Sequence, residues 1–111
     1  MLIATRVLKL CRASADIEIP VRIFAPVQSA VDWSCRFEID WPEEKRVRIA
    51  TGIDAIQSLL LALQMIGAQI YTSDYHTAGN LMWQAPGQGY GFPVPNNIRD
   101  LLMGNDAIYG A

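Results

Sequence analysis

The sequence predicts an α+β fold: a mainly antiparallel sheet of four to five strands, with one long helix packed on one face and a short C-terminal helix. Two observations support this prediction. Apolar and polar residues alternate through much of the first fifty positions, as in strands with one buried face. Near residue 51 the apolar spacing changes to three or four residues, as in an amphipathic helix. We expect residues 1–111 to form a single compact domain.

Three strands are predicted in the first forty-one residues. Residues 2–11 are rich in strand-forming residues, although their alternation is blurred. In residues 16–25, isoleucine or valine occupies every second position from Ile17 to Ile23. Residues 33–41 show the clearest pattern, with large apolar side chains on one face and mostly charged side chains on the other. These segments predict a sheet with one covered and one solvated face.

A fourth strand is predicted after the turn "PEEK". In "RVRIA" the apolar residues Val47 and Ile49 alternate with Arg46 and Arg48. We expect Val47 and Ile49 to face the core and the two arginines to face solvent.

The long helix is predicted from the stretch "TGIDAIQSLLLALQMIGAQIY". Thr51 and Asp54 have the spacing of a capping box, with Asp in place of the usual Glu. One broad stripe is predicted to pack on the sheet; it comprises Ala55, Ile56, Leu59, Leu60, Leu63, Ile66 and Ile70.

The opposite flank of this helix contains no charged residue. It comprises Gln57, Leu61, Gln64, Met65 and Ala68. An ordinary solvent-facing helix surface carries lysines and glutamates. Either another part of the chain covers this flank, such as the C-terminal segment, or it is an interface with a second subunit or a partner protein.

The C-terminal third is predicted to hold short elements joined by loops. "NLMWQA" has the composition of a short fifth strand, and residues 96–104 resemble a helix that ends at Gly104. Between them, "PGQGYGFP" has G-x-G-x-G spacing and is followed by proline, which does not fit a dinucleotide-binding or P-loop motif. We expect its glycines to supply positive φ angles and Tyr90 and Phe92 to anchor the loop.

A ligand pocket, if present, is predicted near the only histidine. The candidate residues are Asp74, Tyr75, His76, Gly89, Tyr90 and Gly91. A catalytic histidine needs an orienting carboxylate and a nucleophile within reach, and the sequence does not show either contact. We therefore identify no catalytic residue. One histidine and two distant cysteines give no metal-binding spacing, so we expect no metal and no cofactor.

Charge and hydropathy exclude further classes. The formal net charge of −2 and the lack of a basic stripe argue against nucleic-acid binding. No apolar run approaches the length of a membrane span, and the N-terminus does not resemble a signal peptide. We expect a cytoplasmic protein with reduced cysteines.

The stretches "GIDAIQSLLLALQMIG" and "LMWQAPGQGYGFP" resemble a family of small bacterial domains of unknown function. The shared pattern is a helix start of Gly, hydrophobic, Asp, any residue, hydrophobic and Gln, followed by a late Trp and a Gly-aromatic-Gly-Phe-Pro loop. The family-like positions are Gly52, Asp54, Gln57, Trp83, Gly91 and Pro93. The resemblance covers most of the chain and implies a bacterial stand-alone domain. It implies no catalytic residue and no substrate.

Two functions follow as expectations. The first is a non-enzymatic protein-interaction or self-associating accessory domain, which binds a partner protein or forms a homodimer through the uncharged helix flank. The alternative is a small-ligand-binding protein or minor enzyme with a pocket between residues 74–76 and 87–92. The sequence does not identify the partner, the ligand, the biological process or the strand order.

Overall fold

The computed structural model describes residues 1–110. Its fold is α+β, as predicted. The strands are β1 (Leu2–Leu10), β2 (Ile17–Phe24), β3 (Val27–Gln28), β4 (Trp33–Asp40), β5 (Lys45–Gly52) and β6 (Leu81–Met82). The helices are α1 (Ala55–Tyr71), α2 (Asp74–Thr77), a 3₁₀ helix (Asn96–Leu101) and α3 (Asn105–Tyr109).

The strands form one antiparallel sheet. β4 pairs with β5 along one edge and with β2 and the short β3 along the other, while β1 joins β2 to β6. The sequence pattern did not predict β3 or α2, which have only two and four residues. The predicted fifth strand is also shorter than expected, because only Leu81 and Met82 pair with β1.

The two faces of the sheet differ as the alternation predicts. The inner face of β2 and β4 supplies fully buried side chains, including Ile19, Phe37 and Ile39. The outer face carries ion pairs between neighbouring strands. The Arg22 guanidinium lies 2.8 Å from the Asp40 carboxylate in one of these pairs. Helix α1 packs on the inner face of β4 and β5.

The predicted orientation of β5 is wrong. Val47 and Ile49 are exposed on the outer face, whereas Ala50 is buried beneath α1. The pairing with β4 sets this orientation, because Ala50 lies opposite the buried Cys35 and Ile49 lies opposite Arg36. A small residue is needed under the helix. A Cβ atom at Gly52 would overlap the backbone nitrogen of Ser58.

Helix α1 is also rotated relative to the prediction. Ile56 and Leu60, which we placed in the core, are exposed, while Ser58 and Ala62 are fully buried against the sheet. The close approach of α1 to Gly52 explains the difference, because small side chains are needed where the two backbones are nearest. The larger side chains of Ile56 and Leu60 then lie on the solvent side of α1, away from its contact with β5.

The cap of α1 lies three residues after the predicted one. Thr51 belongs to β5, and Asp54 is the N-cap, with its carboxylate accepting a hydrogen bond from the Gln57 backbone N–H at 2.7 Å. The Gln57 side-chain oxygen accepts one from the Ile53 backbone N–H, also at 2.7 Å. The pair resembles a capping box, except that the Gln57 side chain reaches the residue before the N-cap and not the N-cap itself.

The C-terminal segment contains two short helices where we predicted one helix over residues 96–104. The 3₁₀ helix ends at Leu101, and Gly104 precedes α3 instead of ending a helix. Just before these helices, Pro93 and Val94 cross α1 at Gly67, where a Cβ atom would overlap the Pro93 carbonyl oxygen. The absence of a side chain at Gly67 therefore allows Pro93 and Val94 to pack closely on α1.

Candidate functional site

The outward surface of α1 is uncharged and partly exposed to solvent. No charged residue occurs between Ala55 and Tyr71. Of the predicted interface residues, Gln57 is exposed and Leu61 is 37% exposed, whereas Gln64, Met65 and Ala68 are half-buried. Ile56 and Leu60 add exposed apolar surface, with exposed fractions of 69% and 53%. Sequence reasoning placed these two residues in the core and missed their contribution.

The predicted ligand pocket divides into three separate cavities. Asp74 and Tyr75 line an open groove of about 660 Å³ beside Trp41 and Arg46. His76 and Tyr90 line a second cavity of about 300 Å³. Gly89 and Gly91 line a third cavity of about 310 Å³. The structure therefore brings His76 to Tyr90 but does not gather all six predicted residues around one ligand volume.

The glycine-rich loop has the conformation that the sequence predicts. Gly87, Gly89 and Gly91 have φ angles of 74°, 84° and 74°, which L side chains rarely adopt. Tyr90 and Phe92 are buried between and after these glycines. The loop is therefore anchored by its two aromatic side chains.

A buried carboxylate from α3 holds this loop in place. Asp106 is 2% exposed and accepts hydrogen bonds from the backbone N–H groups of Tyr90 and Gly91, at 2.8 and 2.9 Å. It also accepts a hydrogen bond from the Tyr71 hydroxyl of α1 at 2.5 Å. Burial and this bond raise the pKa of Tyr71 well above its usual range. Asp106 thus ties the C-terminal helix to both the loop and α1.

Arg6 of β1 holds the same loop from its other side. Its guanidinium donates hydrogen bonds to the Tyr90 and Gly91 carbonyl oxygens, both at 3.0 Å. It also lies 3.9 Å from the centroid of the Trp83 ring, which is a cation–π distance. Burial lowers the pKa of Arg6, and the negative charge of Asp106 partly offsets this effect. The peptide groups of the loop are therefore fixed by charged residues from two distant elements.

His76 is held by a tyrosine. Its Nδ1 atom lies 2.5 Å from the Tyr90 hydroxyl. Burial lowers the pKa of His76, whereas burial together with the Asp106 charge raises the pKa of Tyr90 to about 12. Both side chains are consequently neutral at pH 7. A neutral tyrosine does not stabilise an imidazolium as the carboxylate of a catalytic triad does, so this pair is not a triad.

Cys11 lines the same cavity as His76. Cys35 is fully buried inside the sheet core, and burial raises the pKa of its thiol.

Tyr75, a predicted pocket residue, stacks on Trp41, with ring centroids 5.0 Å apart. Among residues 1–110, no group of three or more His, Cys, Asp and Glu side chains is placed to hold a metal ion.

Sequence reasoning missed Arg6 and Asp106. Neither residue belongs to a recognisable motif. Their partners are also distant in the chain, because 84 positions separate Arg6 from Tyr90. The structure shows that Asp106 leaves no room for a side chain at Gly89, where a Cβ atom would overlap its carboxylate. The sequence alone does not reveal this contact.

Comparisons with known proteins place the chain in a family without assigning an activity. No helix within residues 1–110 has the length and apolar character needed to cross a membrane. No curated protein and no solved structure matches the chain. The sequence model of a domain of unknown function, DUF6968, matches residues 4–94. This match includes the sheet, α1 and the glycine-rich loop, and the chain therefore belongs to the DUF6968 family.

Proposed function

We propose that this protein is a non-enzymatic interaction domain that binds a protein partner through the exposed face of α1. The observation that carries the proposal is the exposed apolar surface formed by Ile56, Leu60 and Leu61 on a helix without charges. Contiguous exposed apolar surface on a small domain is typical of interaction sites. The free thiols of Cys11 and Cys35 fit a reducing compartment, and we place the interaction in the cytoplasm.

The outer face of the sheet is the main competing surface, and charge distinguishes the two. Val47 and Ile49 are exposed there, but they lie beside an array of ion pairs. In that array Glu38 lies 3.4 Å from Lys45, and Arg22 is paired with Asp40. Covering this face would remove water from several charges, which costs free energy unless the partner replaces their contacts. Covering α1 removes water from apolar side chains and amides.

The size of the apolar contribution sets the expected effect of mutation. Complete burial of one leucine or isoleucine side chain contributes about 1.5–3 kcal/mol. Leu60 is about half exposed and Leu61 about one third exposed, so burying both on binding contributes roughly 1–3 kcal/mol. An unpaired glutamate at either position adds a desolvation cost. We expect Leu60→Glu combined with Leu61→Glu to weaken binding at least about tenfold.

Affinity capture from a lysate of the protein's own host, followed by quantitative mass spectrometry, tests this proposal. The control is Val31→Glu, which also replaces an apolar side chain with glutamate, at a 90% exposed residue outside α1. We avoid a change at Met65, because this side chain packs against the core and its loss also affects folding. All three proteins should show the same circular dichroism spectrum.

The expected result is a stoichiometric partner that the wild type and Val31→Glu retain and the double α1 variant loses. If the double variant retains every partner at wild-type stoichiometry, α1 is not the binding surface. If only Val31→Glu loses the partner, binding involves the turn before β4 and the proposal is wrong.

A second candidate function, small-ligand binding, rests on the cavity of about 300 Å³ that Cys11, His76 and Tyr90 line together. The neutral side chains of His76 and Tyr90 supply hydrogen-bonding groups, and Leu81 and Met103 supply apolar surface. A metabolite that fits this cavity should raise the melting temperature of the wild type but not that of His76→Ala. A library that produces no shift in the wild type argues against this second function.

A further inference from the structure

We infer that the partner of α1 is a second copy of this chain, packed antiparallel so that the two α1 helices cross between Leu60 and Leu61. This inference rests on the proposed function, because it names the occupant of the same surface. It follows from the order of residues along the exposed stripe of the helix, which places side chains of matching chemistry at equal distances from one central point.

The outward stripe of α1 has a glutamine at each end and two leucines at its centre. Gln57 lies three residues before Leu60, and Gln64 lies three residues after Leu61. In an antiparallel pair with a two-fold axis between the two leucines, Gln57 of one copy faces Gln64 of the other. Each leucine then lies beside its own counterpart across the axis. A contact of this kind is isologous, since the same patch serves both subunits.

Side-chain amides suit such a self-contact. A glutamine side chain carries both a donor and an acceptor, so two facing glutamines can hydrogen-bond without a complementary residue type. The Gln57 oxygen already accepts a hydrogen bond from the Ile53 N–H at 2.7 Å, which leaves its NH₂ group to donate to the Gln64 oxygen of the second copy. A register shifted by one turn would instead place Gln57 against Leu60 in one direction, or Gln64 against Leu61 in the other, and leave that amide unpaired.

Charge selects the antiparallel arrangement over the parallel one. Asp54 is the charged residue at the N-terminal end of the stripe. A parallel pair would bring the two Asp54 carboxylates to the same end and align the helix dipoles side by side. The antiparallel pair separates the two carboxylates by about 20 Å, from 13 residues at 1.5 Å rise each. That separation exceeds the Debye length of about 8 Å at physiological ionic strength.

The contact area indicates a weak dimer. Helix α1 has 17 residues and is about 25 Å long, and its exposed stripe is about one helix diameter wide. One such stripe is smaller than the roughly 800 Å² per partner of a standard stable interface. We therefore expect a weak dimer that forms only at high protein concentration.

Sedimentation velocity from about 5 µM to about 500 µM gives the first measurement. The wild type should change from monomer to dimer with increasing concentration, while Leu60→Glu combined with Leu61→Glu should remain monomeric throughout. Val31→Glu should behave as the wild type. A wild type that remains monomeric at the highest concentration overturns the inference.

Disulfide trapping then tests the arrangement. In a Cys11→Ser background, Gln57→Cys and Gln64→Cys proteins with tags of different mass are mixed and oxidised. Helix axes 8–10 Å apart bring facing Cα atoms to about 5 Å, which is within disulfide range. The mixed disulfide between positions 57 and 64 should exceed either symmetric disulfide by at least about tenfold. Val31→Cys mixed with Gln64→Cys measures the background from random collisions.

The outcomes separate this inference from the proposed function. Predominant 57–57 and 64–64 disulfides would show a parallel pair, and background levels throughout would show no α1 pairing; either result refutes the inference. If pairing is absent but host capture still depends on Leu60 and Leu61, the proposed interaction surface stands with a different partner. If both experiments are negative, the proposed function fails as well.

Discussion

Replacing Asp106 with asparagine tests the contact that holds the glycine-rich loop. The Asp106 carboxylate accepts three hydrogen bonds, from the Tyr71 hydroxyl and from the backbone N–H groups of Tyr90 and Gly91. Asparagine has nearly the same shape but only one acceptor oxygen. Its NH₂ group must therefore point at one or both donors, and at least one buried backbone N–H loses its partner.

The expected destabilisation follows from these three bonds. One unsatisfied buried donor costs about 1–3 kcal/mol, and the remaining bonds lose the strength that the negative charge gives them. We expect Asp106→Asn to lower the free energy of unfolding by roughly 2–4 kcal/mol. Tyr71→Phe removes one of the three bonds and should cost about 1–2 kcal/mol. The double variant should lose less than the sum, because both changes remove the same contact.

Urea unfolding followed by circular dichroism measures these differences. Asp100→Asn is the matched control, because Asp100 is exposed on the 3₁₀ helix and its change should stay within about 0.5 kcal/mol of wild type. The slope of the unfolding free energy against urea should be similar in all variants. An Asp106→Asn protein as stable as the control would refute the role assigned to the buried carboxylate.

Two further predictions concern His76 and Gly67. Burial lowers the pKa of His76 below 6.5, so the unfolded chain binds the proton more readily. The contribution of neutral His76 to the free energy of unfolding is complete above pH 6.5. It is lost as the pH falls through the folded-state pKa of His76. Since His76 is the only histidine, His76→Gln should remove this decline between pH 7.5 and 5.5 in urea unfolding. Gly67→Ala should destabilise the protein by about 1–3 kcal/mol in the same assay, because its Cβ would overlap the Pro93 carbonyl oxygen. A stability gain of about 1 kcal/mol, from helix propensity alone, would contradict that packing.

The sheet and the main helix could be predicted because their patterns are local. Alternation from Trp33 to Asp40 identifies a strand and its buried face without knowledge of its neighbours. In β5 the same reasoning failed. The larger residues Val47 and Ile49 suggested the buried face, but Ala50 is the buried residue and the close approach of α1 leaves no room for a Cβ atom at Gly52. That requirement depends on tertiary contact and is not visible in a local pattern.

The candidate site was predictable only in part, for the same reason. The absence of charge on α1 could be read directly from the sequence, and it led to Leu61 and Gln57. The exposure of Ile56 and Leu60 depends on the rotation of the helix on the sheet. Asp106 lies 15 or more residues from each group that it binds, and no spacing rule links it to them.

Methyl-resolved NMR tests directly whether the exposed face of α1 is the interaction surface. Methyl shifts are recorded on dilution from about 500 µM to about 10 µM, and again with any captured partner. We expect shift changes at Ile56, Leu60 and Leu61, with none at Ile49 or Val31, which are exposed on other surfaces. Changes centred on Ile49, or an association that leaves the α1 methyl groups unchanged, would contradict it.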